Sequence, residues 1–169
     1  MDKAGKKRLR KITLAGMLVA VATALQMLEA PLPRILPWLK IGLANVITLY
    51  SILRLGGVTG VLIAVFRTCL SAFLGGSFLT PIHLLSFSGA VSSAIVMFFL
   101  YHFLPKTSIC IISIFGAITS NIVQLVVVQF LFASVGIPLW FHLAMIIWIG
   151  IPSGIIVAKI TYELLRRTQ

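Results

Sequence analysis

Asp2, Glu29 and Glu163 are the only acidic residues in a chain that is 60% hydrophobic, and Glu29 alone lies inside an apolar stretch. Burying an ionisable group at membrane depth costs a few kcal/mol or more, so such a group faces a protein interior, an ion partner or a ligand path. A lone carboxylate can orient a donor, offset a cation or carry a proton, but it cannot supply the two groups of paired acid and base catalysis. Arg67 is its counterpart, a cation within an apolar run that could neutralise a carboxylate or a phosphate. At about 100° per helical residue, Arg67 shares an arc with Gly60 and Ser71; Asn121 and Gln124 share a face, and so do Gln26 and Glu29. Asn45 adds one more amide near the start of an apolar segment. None of these groups can face lipid without a partner. Two readings follow: an internal hydrogen-bond network with a Glu29–Arg67 ion pair, or a polar ligand pocket built from the same side chains.

Other chemistries are excluded by what the chain lacks. Cys69 and Cys110 are isolated, with no CxxC and no adjacent histidine, so neither a zinc site nor a redox pair is indicated. His83, His102 and His142 lack ligand spacing and read as packed or interfacial histidines. Gly56-Gly57-Val58-Thr59-Gly60 is not followed by Lys-Ser/Thr, so there is no phosphate-binding loop of the Walker type and any ATP hydrolysis belongs to another chain. No cofactor is implied, and the chain does not read as an enzyme. The net charge of +11 could suggest nucleic acid. Nucleic-acid-binding cations cluster on one exposed surface beside base-reading groups, however, whereas these flank apolar segments, so no nucleic-acid partner is expected.

The elements that must position these residues are membrane helices. A mean hydropathy of +1.12 with 10% charged residues is far from the soluble norm. At roughly 20 residues per span, the 169 residues fit about six helices. Nearly unbroken apolar runs at 82–100 and 109–135 exclude a barrel, which needs alternating polarity. The fold class is an all-α integral membrane protein, a single bundle of about six transmembrane helices at 12–30, 40–54, 57–74, 82–103, 108–134 and 138–165, stopped by glycine pairs and prolines. Residues 1–11 form a basic cytoplasmic segment that suits anionic headgroups, and 12–169 the transmembrane domain. The first apolar run ends in Glu29 and proline rather than a cleavage site, so it is expected to remain in the mature protein. The second helix is short for a full crossing. Short cytoplasmic loops retain Lys and Arg. Placing both termini in the cytoplasm puts eleven of the fourteen cations on that side, leaving Arg34 and Lys40 outside and Arg67 within helix three.

After Glu29 comes a stiff loop, broken by Pro31, Pro33 and Pro37, that carries Arg34, Trp38 and Lys40. Arg34 and Lys40 could meet an anionic substrate group, and Trp38 and Trp140 could stack on a planar substrate or anchor the membrane interface. The pocket reading bounds the site by the outer end of helix one, this loop, helix three and the outer half of helix five or six. Gly16, Ala20 and Ala24 recur every four residues on helix one, and Gly150, Gly154 and Ala158 do the same on helix six. Such stripes let helix backbones approach closely in lipid. Each can serve packing inside the bundle, and that of helix one can instead dock another membrane protein.

The succession Glu29, proline loop, Lys40-Ile41-Gly42-Leu43-Ala44-Asn45, Gly56-Gly57, Arg67, Gly75-Gly76, Ser86-Phe87-Ser88-Gly89-Ala90, Gly116-Ala117, Asn121 and Gln124 resembles the Gx transporter family. That family is also labelled heptaprenyl diphosphate synthase component I. The similarity runs over nearly the whole chain, although Ser120 stands where the family often has histidine. The family is itself similar to the substrate-binding S components of energy-coupling factor (ECF) transporters. The resemblance implies a subunit that captures a small-molecule micronutrient or vitamin and associates, in the lipid bilayer, with a transmembrane coupling protein and ATPase subunits. It also implies that Gly16, Ala20 and Ala24 meet the coupling protein and that the proline loop acts as a lid. The site residues are then Glu29, Arg34, Trp38, Lys40, Asn45, Arg67, Asn121 and Gln124. A catalytic prenyl diphosphate synthase needs carboxylates to hold magnesium, and no aspartate follows Asp2. The remaining alternatives are a non-catalytic accessory subunit in prenyl diphosphate or quinone metabolism and a stand-alone secondary transporter, the latter without any internal inverted repeat.

Overall fold

The computed structural model describes residues 3–29, 42–131 and 139–168, the side chains of 3, 4, 139–143 and 145 excepted. These residues form helices α1 (Lys3–Glu29), α2 (Ala44–Leu55), α3 (Gly57–Leu74), α4 (Pro81–Phe103), α5 (Ile109–Leu131) and α6 (Leu139–Arg167), with no strand among them. Five are long and apolar enough to cross a membrane, which makes the chain a multi-pass membrane protein; α2 is the shorter apolar helix. The helix expected from residue 12 begins at Lys3, because Lys, Arg and Leu are good helix formers and the basic segment continues the same rod. The turn into α4 follows its residue types. Thr80 caps the helix, its hydroxyl accepting from the His83 N–H at 3.4 Å, and Pro81 takes the first turn, where its missing N–H costs nothing.

The short α2 is the axis of the bundle, in contact with α1, α3, α4 and α6. Every residue from Ala44 to Ile52 is buried. One flank of α2 (Val46, Leu49, Ile52) packs on Met97, Ile112 and Val157, while Ile47 meets Ala22 and Ile63. Around it α4 lies beside α3 and α5, and α5 beside α6. In lipid the apolar contact gains come from dispersion, so close approach matters more than hydrophobicity. At Gly154 a Cβ would lie 2.5 Å from the Ile114 backbone, so only glycine allows α6 to sit this near α5. The Ser113 hydroxyl then reaches the Gly154 carbonyl at 2.7 Å. The small stripe on α6 is therefore internal packing: Gly150, Gly154 and Ala158 are all buried.

The chain ends where α2 ends. Tyr50 Oη lies 3.2 Å from Thr168 Oγ1, and the Arg54 guanidinium donates to the Thr168 carbonyl. Glu29, Gly42 and the turn at 75–80 gather at the opposite end.

Candidate functional site

Glu29 is the last residue of α1, and its carboxylate accepts the backbone N–H of Gly42. Gly42 has φ +78°, a left-handed backbone that side-chain-bearing residues disfavour, and a Cβ there would press on Asn45 Nδ2 at 3.1 Å. The turn also places the Gly42 carbonyl 2.8 Å from the Asn45 N–H. The Gly-Leu-Ala-Asn part of the sequence motif is thus a device: glycine offers its amide to Glu29, and asparagine three residues later enters the bundle.

Four helices then share one hydrogen-bond chain. Arg67 on α3 donates from Nη2 to Asn45 Oδ1 at 2.7 Å and from Nη1 to Gln26 Oε1 at 2.9 Å. Gln26 passes the chain on, its Nε2 donating to Ser86 Oγ of α4 at 3.1 Å. On α5, Gln124 Nε2 donates to Ser120 Oγ at 2.9 Å. Gly89 of α4 makes room for that amide, because a Cβ there would come within 2.5 Å of Gln124 Nε2.

The Glu29–Arg67 ion pair, one of the two readings of the sequence, is not formed. Among the described residues the ion pair is Arg167–Glu163, exposed, at 3.1 Å. The reason is geometric: the two guanidinium Nη groups are taken by the amide oxygens of Gln26 and Asn45, and Glu29 is held by the Gly42 backbone. The two side chains therefore line one pocket without direct contact.

That pocket is lined by all six helices, through Glu29 and Gln26, Asn45, Arg67, Ala90, Asn121 and Gln124, and Ser153 among others. Its free volume is about 30 Å³, room for about two or three water-sized groups. Arg67 is 3% exposed, Asn121 2% and Gln124 2%. Arg67 Nε, Asn121 Nδ2 and Gln124 Oε1 are nevertheless buried without a hydrogen-bond partner. Leaving such groups unpaired costs about 1–3 kcal/mol each. A fold that keeps three of them at one point holds unspent recognition capacity there.

The structure brings together Glu29, Asn45, Arg67, Asn121 and Gln124, with Gln26. Arg34, Trp38 and Lys40 lie outside the described residues, as do the proline loop and the Trp140 side chain. Sequence reasoning missed the wall contributed by α4 (Ser86, Ala90), as well as Gly42, Ser120 and Ser153. A signal existed in Gly89 and Ala90, small residues three and four positions after Ser86 and so on its helix face. Cys69 and Cys110 are free thiols, and no cluster of three metal-ligating side chains occurs among the described residues.

Gly16, Ala20 and Ala24 point away from the bundle. All three are exposed, and a Cβ built on Gly16 meets nothing within 4 Å. Beside them runs an apolar groove of about 540 Å³ between α1 and α3, lined by Ala15, Val19, Leu62, Phe66 and Leu70.

A sequence profile of the family described as heptaprenyl diphosphate synthase component I matches residues 18–164. The comparison with curated proteins found no match. Among solved structures, the S component of a bacterial ECF transporter shares the fold with a TM-score of 0.64, at 24% sequence identity, over 95% of this chain and 96% of that one.

Proposed function

The chain belongs to the heptaprenyl diphosphate synthase component I family, and from that premise we propose that it is the substrate-capturing membrane subunit of an ATP-driven, ECF-type micronutrient uptake system. The observation that carries this reading is the occluded polar pocket at Arg67, which keeps two donors and an acceptor unpaired inside an apolar bundle. A polar ligand group entering the pocket can pair with them. The exposed Gly16, Ala20 and Ala24 stripe with its adjoining groove supplies a surface on which a transmembrane coupling protein can approach closely, and that protein's ATPase subunits supply the energy. The fold shared with an S component supports the same assignment. In this reading the termini face the cytoplasm, and the end bearing Glu29 and Gly42 faces outward.

The family label also favours one other reading, a non-catalytic accessory subunit in prenyl diphosphate metabolism. One experiment separates the two. Purified protein is screened by thermal shift and native mass spectrometry against vitamins, flavins and isoprenoid diphosphates, and the binder is followed into proteoliposomes with and without the coupling protein and its ATPases. ATP-dependent uptake that requires those partners is expected. Binding of isoprenoid diphosphates alone, without uptake, overturns the transport reading.

A further inference from the structure

The polar pocket is too small for a micronutrient, yet it adjoins a larger space. A second cavity of about 490 Å³ lies between α1, α3 and α4 and shares Gln26, Glu29 and Ser86 with the first. That volume lies within the range of small-molecule sites. Its wall along α3 and the glycine that follows is made of Thr68, Ser71, Ala72 and Gly75. Across from them stands His83, 7% exposed, at the start of α4. Its ring lies between those of Phe78 (centroids 5.2 Å) and Phe87 (5.8 Å), and Phe73 extends the row beyond Phe78. Of these rings His83 alone lines the cavity, and a space with small residues and one imidazole ring on its wall suits a flat ring. Thr68 and Ser71 spend their hydroxyls on carbonyls of their own helix. His83 Nδ1 is buried without a partner, the one such side-chain atom along this cavity among the described residues.

We propose that the two cavities form one bipartite site for a planar heteroaromatic compound bearing a carboxamide or lactam edge, its ring in the α1–α3–α4 chamber beside His83 and its amide in the Arg67 pocket. The head follows from hydrogen-bond bookkeeping. Arg67 Nε and Asn121 Nδ2 are unpaired donors, and Gln124 Oε1 is an unpaired acceptor. A C(=O)–N–H group meets all three, its oxygen accepting twice and its N–H donating once. A carboxylate has no N–H for Gln124, and it would place a second carboxylate in a pocket that Glu29 already lines. His83 hydrogen-bonds the ring edge and is a specificity-determining residue. This inference deepens the uptake reading and rests on it for the location of the head.

The test uses full-length protein in nanodiscs with pyridine-3-carboxamide, pyridine-3-carboxylate and cyclohexanecarboxamide as probes, followed by thermal shift and saturation-transfer NMR. The aromatic amide is expected to bind at least tenfold more tightly than the other two. Ala72→Phe, which fills the chamber, is expected to abolish binding, and His83→Leu to erase the preference for the aromatic ring. Should Ala72→Phe fail to fold, Ser71→Cys on a background free of Cys69 and Cys110 replaces it; the aromatic amide should protect that thiol from maleimide. Equal affinity for the saturated amide, no binding of any probe, or no protection at position 71 overturns the bipartite site. Aromatic-amide binding that passes these tests in a protein inactive in reconstituted uptake overturns the transport reading alone. Uptake of a substrate whose affinity ignores Ala72→Phe and His83→Leu overturns the chamber alone.

Discussion

The backbone N–H of Gly42 donates to the carboxylate of Glu29, joining the end of α1 to the start of α2 across thirteen positions of chain. The charge that looked most like half of an ion pair is thus bound to the backbone turn that delivers Asn45 to Arg67. Because Gly42 is left-handed, Gly42→Ala should lower stability by about 1–2 kcal/mol. Glu29→Gln keeps an acceptor oxygen for that amide and should fold nearly as well. Its substrate affinity should nonetheless fall by about tenfold, roughly 1.4 kcal/mol. Isothermal titration beside thermal unfolding measures both; unchanged affinity in folded Glu29→Gln removes Glu29 from the site.

Arg67 should be coupled to its hydrogen-bond partners more strongly than to Glu29. A double-mutant cycle between Arg67→Leu and Asn45→Leu should yield an interaction energy of about 1.5–3 kcal/mol, the range of hydrogen bonds to charged groups. The cycle with Glu29→Gln should yield less, and Glu29→Gln should not restore the stability of Arg67→Gln. A larger coupling to Glu29 would mean that the two side chains meet directly.

The two small-residue stripes should respond oppositely to bulk. Gly154→Val forces a side chain into the Ile114 backbone and should cost several kcal/mol, seen as a lowered unfolding temperature in detergent. Ala20→Trp points off the bundle and should leave folding and ligand binding intact while abolishing co-purification with a coupling protein and ATP-driven uptake. Loss of folding in Ala20→Trp would make that stripe internal packing instead.

Sidedness is tested by labelling. Single cysteines at 3, 106 and 168, on a background free of Cys69 and Cys110, should react from the cytoplasm, and those at 36 and 78 from outside. Reaction at 106 from the exterior rejects the assignment.

The membrane class, the helix count and much of the pocket's polar lining were legible because apolar runs, proline and glycine stops and polar side chains within apolar runs are local signals. Asn121 and Gln124 share a face by periodicity alone, and the structure places them in one pocket. Partner choice was not legible. Glu29 ends α1 and Arg67 lies inside α3, and whether a guanidinium finds a carboxylate or two amides depends on how α1, α2 and α3 cross. The role of α4 escaped for a related reason. Ser86 and Gly89 matter through what they let Gln26 and Gln124 reach, and a small side chain carries no chemical signature of its own. The stripes on α1 and α6 look alike as sequence, and only assembly decides that one faces in and the other out.

The burial of α2 from Ala44 to Ile52 bears on how the protein enters the bilayer. Twelve residues are too few to partition stably as an independent span, and Asn45, Thr48 and Ser51 would meet hydrocarbon if it tried. Biogenesis must then defer: α1 and α3 have the length and apolarity to be accepted by the insertion machinery one at a time, whereas α2 can settle only between helices already in place. A truncated nascent chain ending just after residue 55 should leave α2 open to aqueous alkylation, and extending it past α3 should close that access.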